Sequence, residues 1–163
     1  MALAKVGGLA ALFRLFPKIL TPPAVYQELI TAGLRLGAPD AALLEARYRS
    51  QELQVVSPAG ATLPVAASLG AGEEQSILLA MEQQAAWLLV DDLDARRAAL
   101  ANLKAAGADT RLKGTLGVIV SAQEHRHLST GEAVGLVRSL RERPDIWISA
   151  SLCDRALDLL TRG

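Results

Sequence analysis

Asp91 and Asp92 follow directly on the apolar run Trp87 to Val90, and Glu28 lies near the start of the helix expected after Lys18-Ile-Leu. Glu73, Glu74 and Gln75 open a third helix, just after Gly70-Ala-Gly72. In parallel α/β sheets, ligands and catalytic groups gather at the carboxyl ends of the strands. Three acidic groups, each at a strand-to-helix end, can therefore converge on one cavity. Carboxylates without histidine or thiolate suit a hard divalent cation, Mg²⁺ or Mn²⁺. Such an ion serves phosphodiester cleavage by activating water and clamping non-bridging oxygens. The expected metal ligands are Asp91, Asp92, Glu28 and Glu73, with catalytic roles for Glu28, Asp91 and Asp92. Thr115, after Gly114, could orient the attacking water or a phosphate. Arg96 and Arg97 lie one turn past the acids, where a guanidinium could pair a carboxylate or hold a phosphate.

Each of these residue types also has a plain structural use. Acids at a helix start complement the helix dipole, and Asp94, a turn further on, suits that role best. His125 and His127 flank Arg126 at a helix end, as cationic C-caps do. Cys153 falls on the apolar side of the last helix and reads as a buried small hydrophobe. Trp87 and Trp147 read as packing residues. Arg138, Arg141 and Arg143 form either a small phosphate-facing patch or a solvated face.

The elements that must position the acids follow from apolar spacing. Leu3, Val6, Leu9, Leu12 and Phe13 predict a helix over 3–15 despite Gly7-Gly8, with Pro17 as its stop. Lys18-Ile-Leu reads as a short buried strand. Thr21-Pro22-Pro23 reads as a helix start, a hydroxyl cap before prolines, for a helix from Ala24 to Ala32 ended by Gly33. Asp40 opens a helix through Tyr48, and Leu53-Gln-Val-Val is a second short strand. Ala59 to Ala71 reads as a loop. The helix starting at Gly72 precedes Ala86 to Val90, a continuous apolar run expected to be a strand buried on both faces. Helices are expected over 93–106, 115–125, 130–143 and 150–160, with a short connection near Arg111-Leu112. Short apolar strands alternating with helices of this length predict an α/β fold with a parallel sheet.

Composition bounds the rest. The 163 residues suit one domain, with a C-terminal helical extension over about 129–163, and the 51% of hydrophobic residues suffice for a core. Seventeen basic residues balance 17 acidic ones, so any nucleic-acid contact must be a local patch. Aromatics at 4% argue against a base-stacking platform, and one cysteine excludes an internal disulfide or a multi-cysteine zinc site. No segment is long and apolar enough to span a membrane, and Lys5 and Arg14 interrupt what would be a signal peptide. The expectation is a soluble protein of a reducing compartment, the cytoplasm. Leu152, Ala156, Leu157 and Leu160 form a stripe on the last helix that suggests a homodimer.

Several motifs together resemble the PIN-domain superfamily, in a prokaryotic PIN-like branch. They are Leu69-Gly-Ala-Gly-Glu-Glu-Gln-Ser-Ile, Trp87-Leu-Leu-Val-Asp-Asp-Leu-Asp-Ala-Arg-Arg and Lys113-Gly-Thr-Leu-Gly-Val-Ile. Pro23-Ala-Val-Tyr-Gln-Glu-Leu fits the same branch, and the resemblance runs in unbroken order over roughly residues 1 to 125. It implies a Rossmann-like parallel sheet and a Mg²⁺- or Mn²⁺-dependent ribonuclease acting on RNA. Many members are VapC-like toxins paired with an antitoxin protein. Glu28 matches the family's helix acid, and Asp91, or else Asp92, the acid after its fourth strand. The family opens with a strand carrying a first catalytic aspartate, which this chain is expected to lack, and Gln75 stands in the family's acidic "GEAE" motif. On that basis impaired cleavage is expected, and the rival reading is an inactive PIN-fold binding or scaffold protein.

Overall fold

The computed structural model describes residues 2–60, 62–65 and 68–162. In chain order the elements are α1 (Ala2–Lys5), α2 (Leu9–Leu15), β1 (Ile19–Thr21), α3 (Pro23–Tyr26), a π-helical segment (Gln27–Ala32), α4 (Gly33–Arg35) and α5 (Pro39–Arg49). Then come β2 (Leu53–Val55), α6 (Ala71–Glu82), β3 (Trp87–Leu89), α7 (Leu93–Ala105), β4 (Arg111–Lys113), α8 (Thr115–Glu124), α9 (Thr130–Glu142) and α10 (Ala150–Arg162). The fold is mixed α/β with short parallel strands, in agreement with the sequence. The chain divides into two compact units, Lys18–Lys113 and the flanking segments Met1–Pro17 with Gly114–Gly163.

All four strands lie in the first unit. Among the described residues they form two parallel pairs, β1 with β2 and β3 with β4, where the sequence predicts one sheet. In the first pair Ile19 faces Leu53 and Thr21 faces Val55. In the second, Trp87 faces Arg111 and Leu89 faces Lys113. Side chains alternate across a strand, so Leu88 and Leu112 share one face. That face joins a core of Ile77, Ala80, Ala99 and Leu103 from α6 and α7. The β3 strand is thus buried on one face, not two: Leu88 is buried while Leu89 is exposed. The strand β4 replaces the predicted connection. Its single inward residue, Leu112, between two cationic ones is too weak a signal to read.

Two more expectations change in this unit. Thr21 is the last residue of β1 and its hydroxyl pairs with the Tyr48 hydroxyl at 2.9 Å, so Pro22 takes the cap position instead. Gly33 does not end its helix. A Cβ there would lie 2.7 Å from the Ala41 Cβ, so this glycine permits close packing of α4 against α5. The run ends at Gly37, where φ is +67° and the Ala38 N–H donates to the Gly33 carbonyl at 2.9 Å. This is the left-handed closure that glycine allows without a Cβ penalty. In the loop Ala59 to Ala71, residues Ala61, Ala66 and Ala67 lie outside the described residues. Asn102, fully buried on α7, holds Val65 there: its Oδ1 accepts from the Val65 N–H at 2.7 Å and its Nδ2 donates to the Val65 carbonyl at 3.1 Å.

The second unit is helical. The expected helix over 3–15 breaks into α1 and α2 at Gly7, whose φ is +76°, with the Gly8 N–H donating to the Leu3 carbonyl at 2.8 Å. Helix α8 packs against α2, α9 and α10. Ser129 and Glu132 close a reciprocal capping box at the start of α9. Ala156 and Leu160 of the predicted dimer stripe are buried within the unit, as is Cys153, whose thiol burial pushes up. Arg141 pairs with Asp154 and Arg143 with Asp145, each at 2.9 Å, so these two arginines belong to a solvated ion-paired surface.

Candidate active site

The helical run after β1 begins with Pro23, whose fixed φ suits a first turn. Four residues on, it widens into the π-helical segment that carries Glu28. Single π turns inside α-helices recur at functional sites, because the extra residue re-aims side chains. The Glu28 side chain lies against Gly72, in the first turn of α6. A Cβ on Gly72 would be 3.0 and 3.1 Å from the two Glu28 carboxylate oxygens and 3.2 Å from a Val25 methyl. Glycine at 72 therefore makes room for the carboxylate.

The start of α6 is fixed from both sides. Glu73 Oε2 accepts from the Gly70 N–H at 3.0 Å, which satisfies one donor of the loop entering the helix. Gln75 Oε1 accepts from the Ala24 N–H at 3.1 Å, tying α6 to the first turn of α3. At the end of β3 the Val90 N–H still donates to the Lys113 carbonyl at 3.0 Å, and the chain then turns outward. Asp92 is the N-cap of α7 and its Oδ1 accepts from the Ala95 N–H at 2.8 Å. Asp91, just before it, is exposed.

Glu28, Glu73, Asp91 and Asp92 line one cavity of about 230 Å³, together with Gly72 and the buried Ile77, Leu88 and Ala95. No Lys or Arg is among the described lining residues, so its field is negative and selects a cation. The amino ends of α6 and α7 both open here, and their dipoles ease the approach of four carboxylates to one another. All the charged donors are oxygens, which fits a hard divalent ion in type. Among the described residues no three acids form a preformed ligand group. Asp92 and Glu73 each have one oxygen engaged by a backbone N–H and one left over.

A family model described as a PIN domain, DUF3368, matches residues 1–162. The chain belongs to this PIN-domain family. None of the curated proteins and none of the solved structures compared with it matches. PIN domains are nuclease-type domains that act on RNA and generally depend on a divalent metal, which accords with an acid-lined cavity at the carboxyl end of a parallel strand. No helix among the described residues of this PIN domain is long and apolar enough to cross a membrane.

The cavity thus brings together the four acids that the sequence singles out, and it leaves Glu74 and Gln75 out of its lining. Arg96 and Arg97 do not line it either. Arg96 donates to the Val90 carbonyl at 2.9 Å, and Arg97 pairs with Asp94 at 3.1 Å on the surface. Thr115 belongs to the other unit, buried in the first turn of α8 behind the Gly114 cap. His125 is the C-cap of α8, with its Nδ1 2.8 Å from the Ser121 carbonyl, as the sequence suggests. Two site features are not legible in the sequence. One is the π-helical segment under Glu28, for which no residue pattern codes. The other is Gly72, whose only signal is a glycine inside the first turn of a helix that the adjacent acids already mark.

Proposed function

We propose that this PIN domain is a Mg²⁺- or Mn²⁺-dependent endoribonuclease whose cation is held by Glu28, Asp91 and Asp92, with Glu73 completing the acidic wall. The observation that carries the reading is the placement of the Glu28 carboxylate over Gly72, in the same cavity as both aspartates. A bound divalent ion supplies charge neutralisation at the scissile phosphate and an acidified water.

The chain's own contribution is to fix the acids on rigid elements. Glu28 rides a helical run anchored by the Gln75 to Ala24 hydrogen bond. Asp92 is immobilised by its cap, and its free oxygen and the neighbouring Asp91 stand at the end of β3. The apolar base of Ile77, Leu88 and Ala95 excludes water from below, which strengthens the field of the acids. Arg97 is a phosphate-contact candidate, because its exposed i,i+3 pair with Asp94 is worth little and an incoming phosphate can displace it. The resemblance to VapC-like members supports a toxin role with an antitoxin protein as partner.

A second reading, a PIN-fold binding protein without catalysis, is favoured by one observation: no three acids among the described residues form a ligand group. Incubating a mixed RNA pool with the protein in Mn²⁺ or Mg²⁺, and in parallel in EDTA, separates the two. The first reading expects cleavage that EDTA abolishes. Intact RNA in both metals would overturn it in favour of the second.

A further inference from the structure

The acids of the candidate site repel the polyanion they are proposed to cleave, so something near them must hold its phosphates. The face of the β3–β4 pair opposite the core is built for that. Trp87, Leu89, Arg111 and Lys113 share it, by register and by alternation, while Leu88 and Leu112 face inward. The Arg111 guanidinium carbon lies 4.1 Å from the centre of the Trp87 ring, and the Lys113 Nζ lies 4.3 Å from the same centre. One indole therefore organises two cations.

We propose that Arg111 and Lys113, held on Trp87, form a phosphate-binding surface for single-stranded RNA entering the candidate active site. This rests on the endoribonuclease reading above and names the substrate contacts that reading lacks.

A guanidinium held over an indole face has already lost part of the rotamer freedom that phosphate binding would cost. Among the described residues Arg111 has no acidic partner, in a chain where seven other cations are in salt bridges. Residues two apart on a strand are about 6.6 Å apart, a spacing that suits successive phosphates of an extended single strand. The direction also fits. Both strands run toward the site, and Lys113 is the residue whose carbonyl accepts from Val90, next to Asp91. With net charge zero, such a local pair is the kind of patch by which this chain could bind nucleic acid. The ring here serves the cations, so the low aromatic content is no obstacle.

The test is anisotropy of a fluorescein-labelled oligouridine RNA with the full chain in EDTA, where no cleavage intervenes. Arg111→Gln with Lys113→Gln should weaken binding by about tenfold at 0.1 M salt and lower the slope of log K against log salt by about 1.4, or about 0.7 for each lost phosphate contact. Arg111→Lys with Lys113→Arg should retain most of the affinity. The charge-matched control Lys104→Gln with Arg35→Gln should retain it too. Independently of those variants, Trp147→Phe leaves Trp87 as the sole tryptophan, and its emission should change on RNA addition with the same salt dependence. Unchanged affinity in the Gln pair, an equal loss in the control, a silent Trp87 or no RNA binding at all would overturn the proposal. Mn²⁺-dependent cleavage with unchanged binding in the Gln pair would overturn this surface and leave the nuclease reading intact. Binding that depends on the pair, without cleavage, would do the reverse.

Discussion

The two carboxylate oxygens of Glu28 lie 3.0 and 3.1 Å from where a Cβ on Gly72 would sit. A charged side chain on one helix and a missing side chain on another thus define the wall of the candidate site. The pairing makes Gly72 a positioning residue, and its substitution separates fold from function. Alanine favours the helix by up to about 1 kcal/mol over glycine, while the exposed Glu28 head can swing aside. Gly72→Ala should therefore leave the melting temperature nearly unchanged and lower Mn²⁺-dependent cleavage at least about tenfold, equivalent to about 1.4 kcal/mol. A melting curve and a cleavage time course on the same sample check it. Retained cleavage would show that the Glu28 position is not needed.

The adjacent aspartates should respond differently to truncation. Asp92 caps α7 through Ala95, so Asp92→Ala should cost about 1 kcal/mol of stability, as lost N-caps do. Asp91→Ala should cost more activity than Asp92→Ala. Urea denaturation and cleavage measured for both variants give the comparison. An unchanged urea midpoint in Asp92→Ala would mean that the cap contributes nothing.

Asn102 is a buried polar residue with a structural task, holding the Val65 backbone by two hydrogen bonds. Asn102→Ala leaves the part-buried N–H and carbonyl of Val65 without their partner and opens a small void in place of the fully buried amide. A loss of about 2–3 kcal/mol is expected in urea denaturation, together with faster proteolysis in the loop around Val65. A loss below about 0.5 kcal/mol would contradict the clamp.

Much of this arrangement was legible in the sequence. The acids at 28, 73, 91 and 92 were marked by their place at strand-to-helix junctions, and they line one cavity. What escaped was carried by contacts rather than by periodicity. Gly33 looks like a stop because the sequence does not show Ala41 pressed against it. Arg111 and Lys113 look like a connection because a three-residue strand has one inward side chain. The stripe on the last helix looks free because nothing in the sequence says that Ala156 and Leu160 are already covered. Gln75, read as an acid's replacement, serves as a backbone acceptor for Ala24.

Asp145 gives the helical unit a pH dependence. Arg143 first, then Lys5, hold its carboxyl well below the usual carboxylate range. The folded state therefore binds this proton less readily than the unfolded chain, whose aspartate titrates near about 3.9. The stabilisation is fully present above that pH and is lost as pH falls below it. Thermal melts between pH 7 and pH 2 should show the acid limb becoming shallower in Asp145→Asn. An identical limb in the variant would contradict the pairing with Arg143 and Lys5.

Whether the acid-lined cavity carries the chemistry is decided by metal-dependent cleavage of one labelled RNA by the unmodified chain, Glu28→Gln and Asp91→Asn side by side. Both substitutions preserve shape and remove a charge from the acid-lined cavity. EDTA-sensitive cleavage is expected from the unmodified chain and a loss of at least about a hundredfold in each variant, equivalent to about 2.7 kcal/mol, with melting temperatures unchanged. Cleavage that persists undiminished in both variants would contradict this expectation and place the chemistry outside the cavity of Glu28, Asp91 and Asp92.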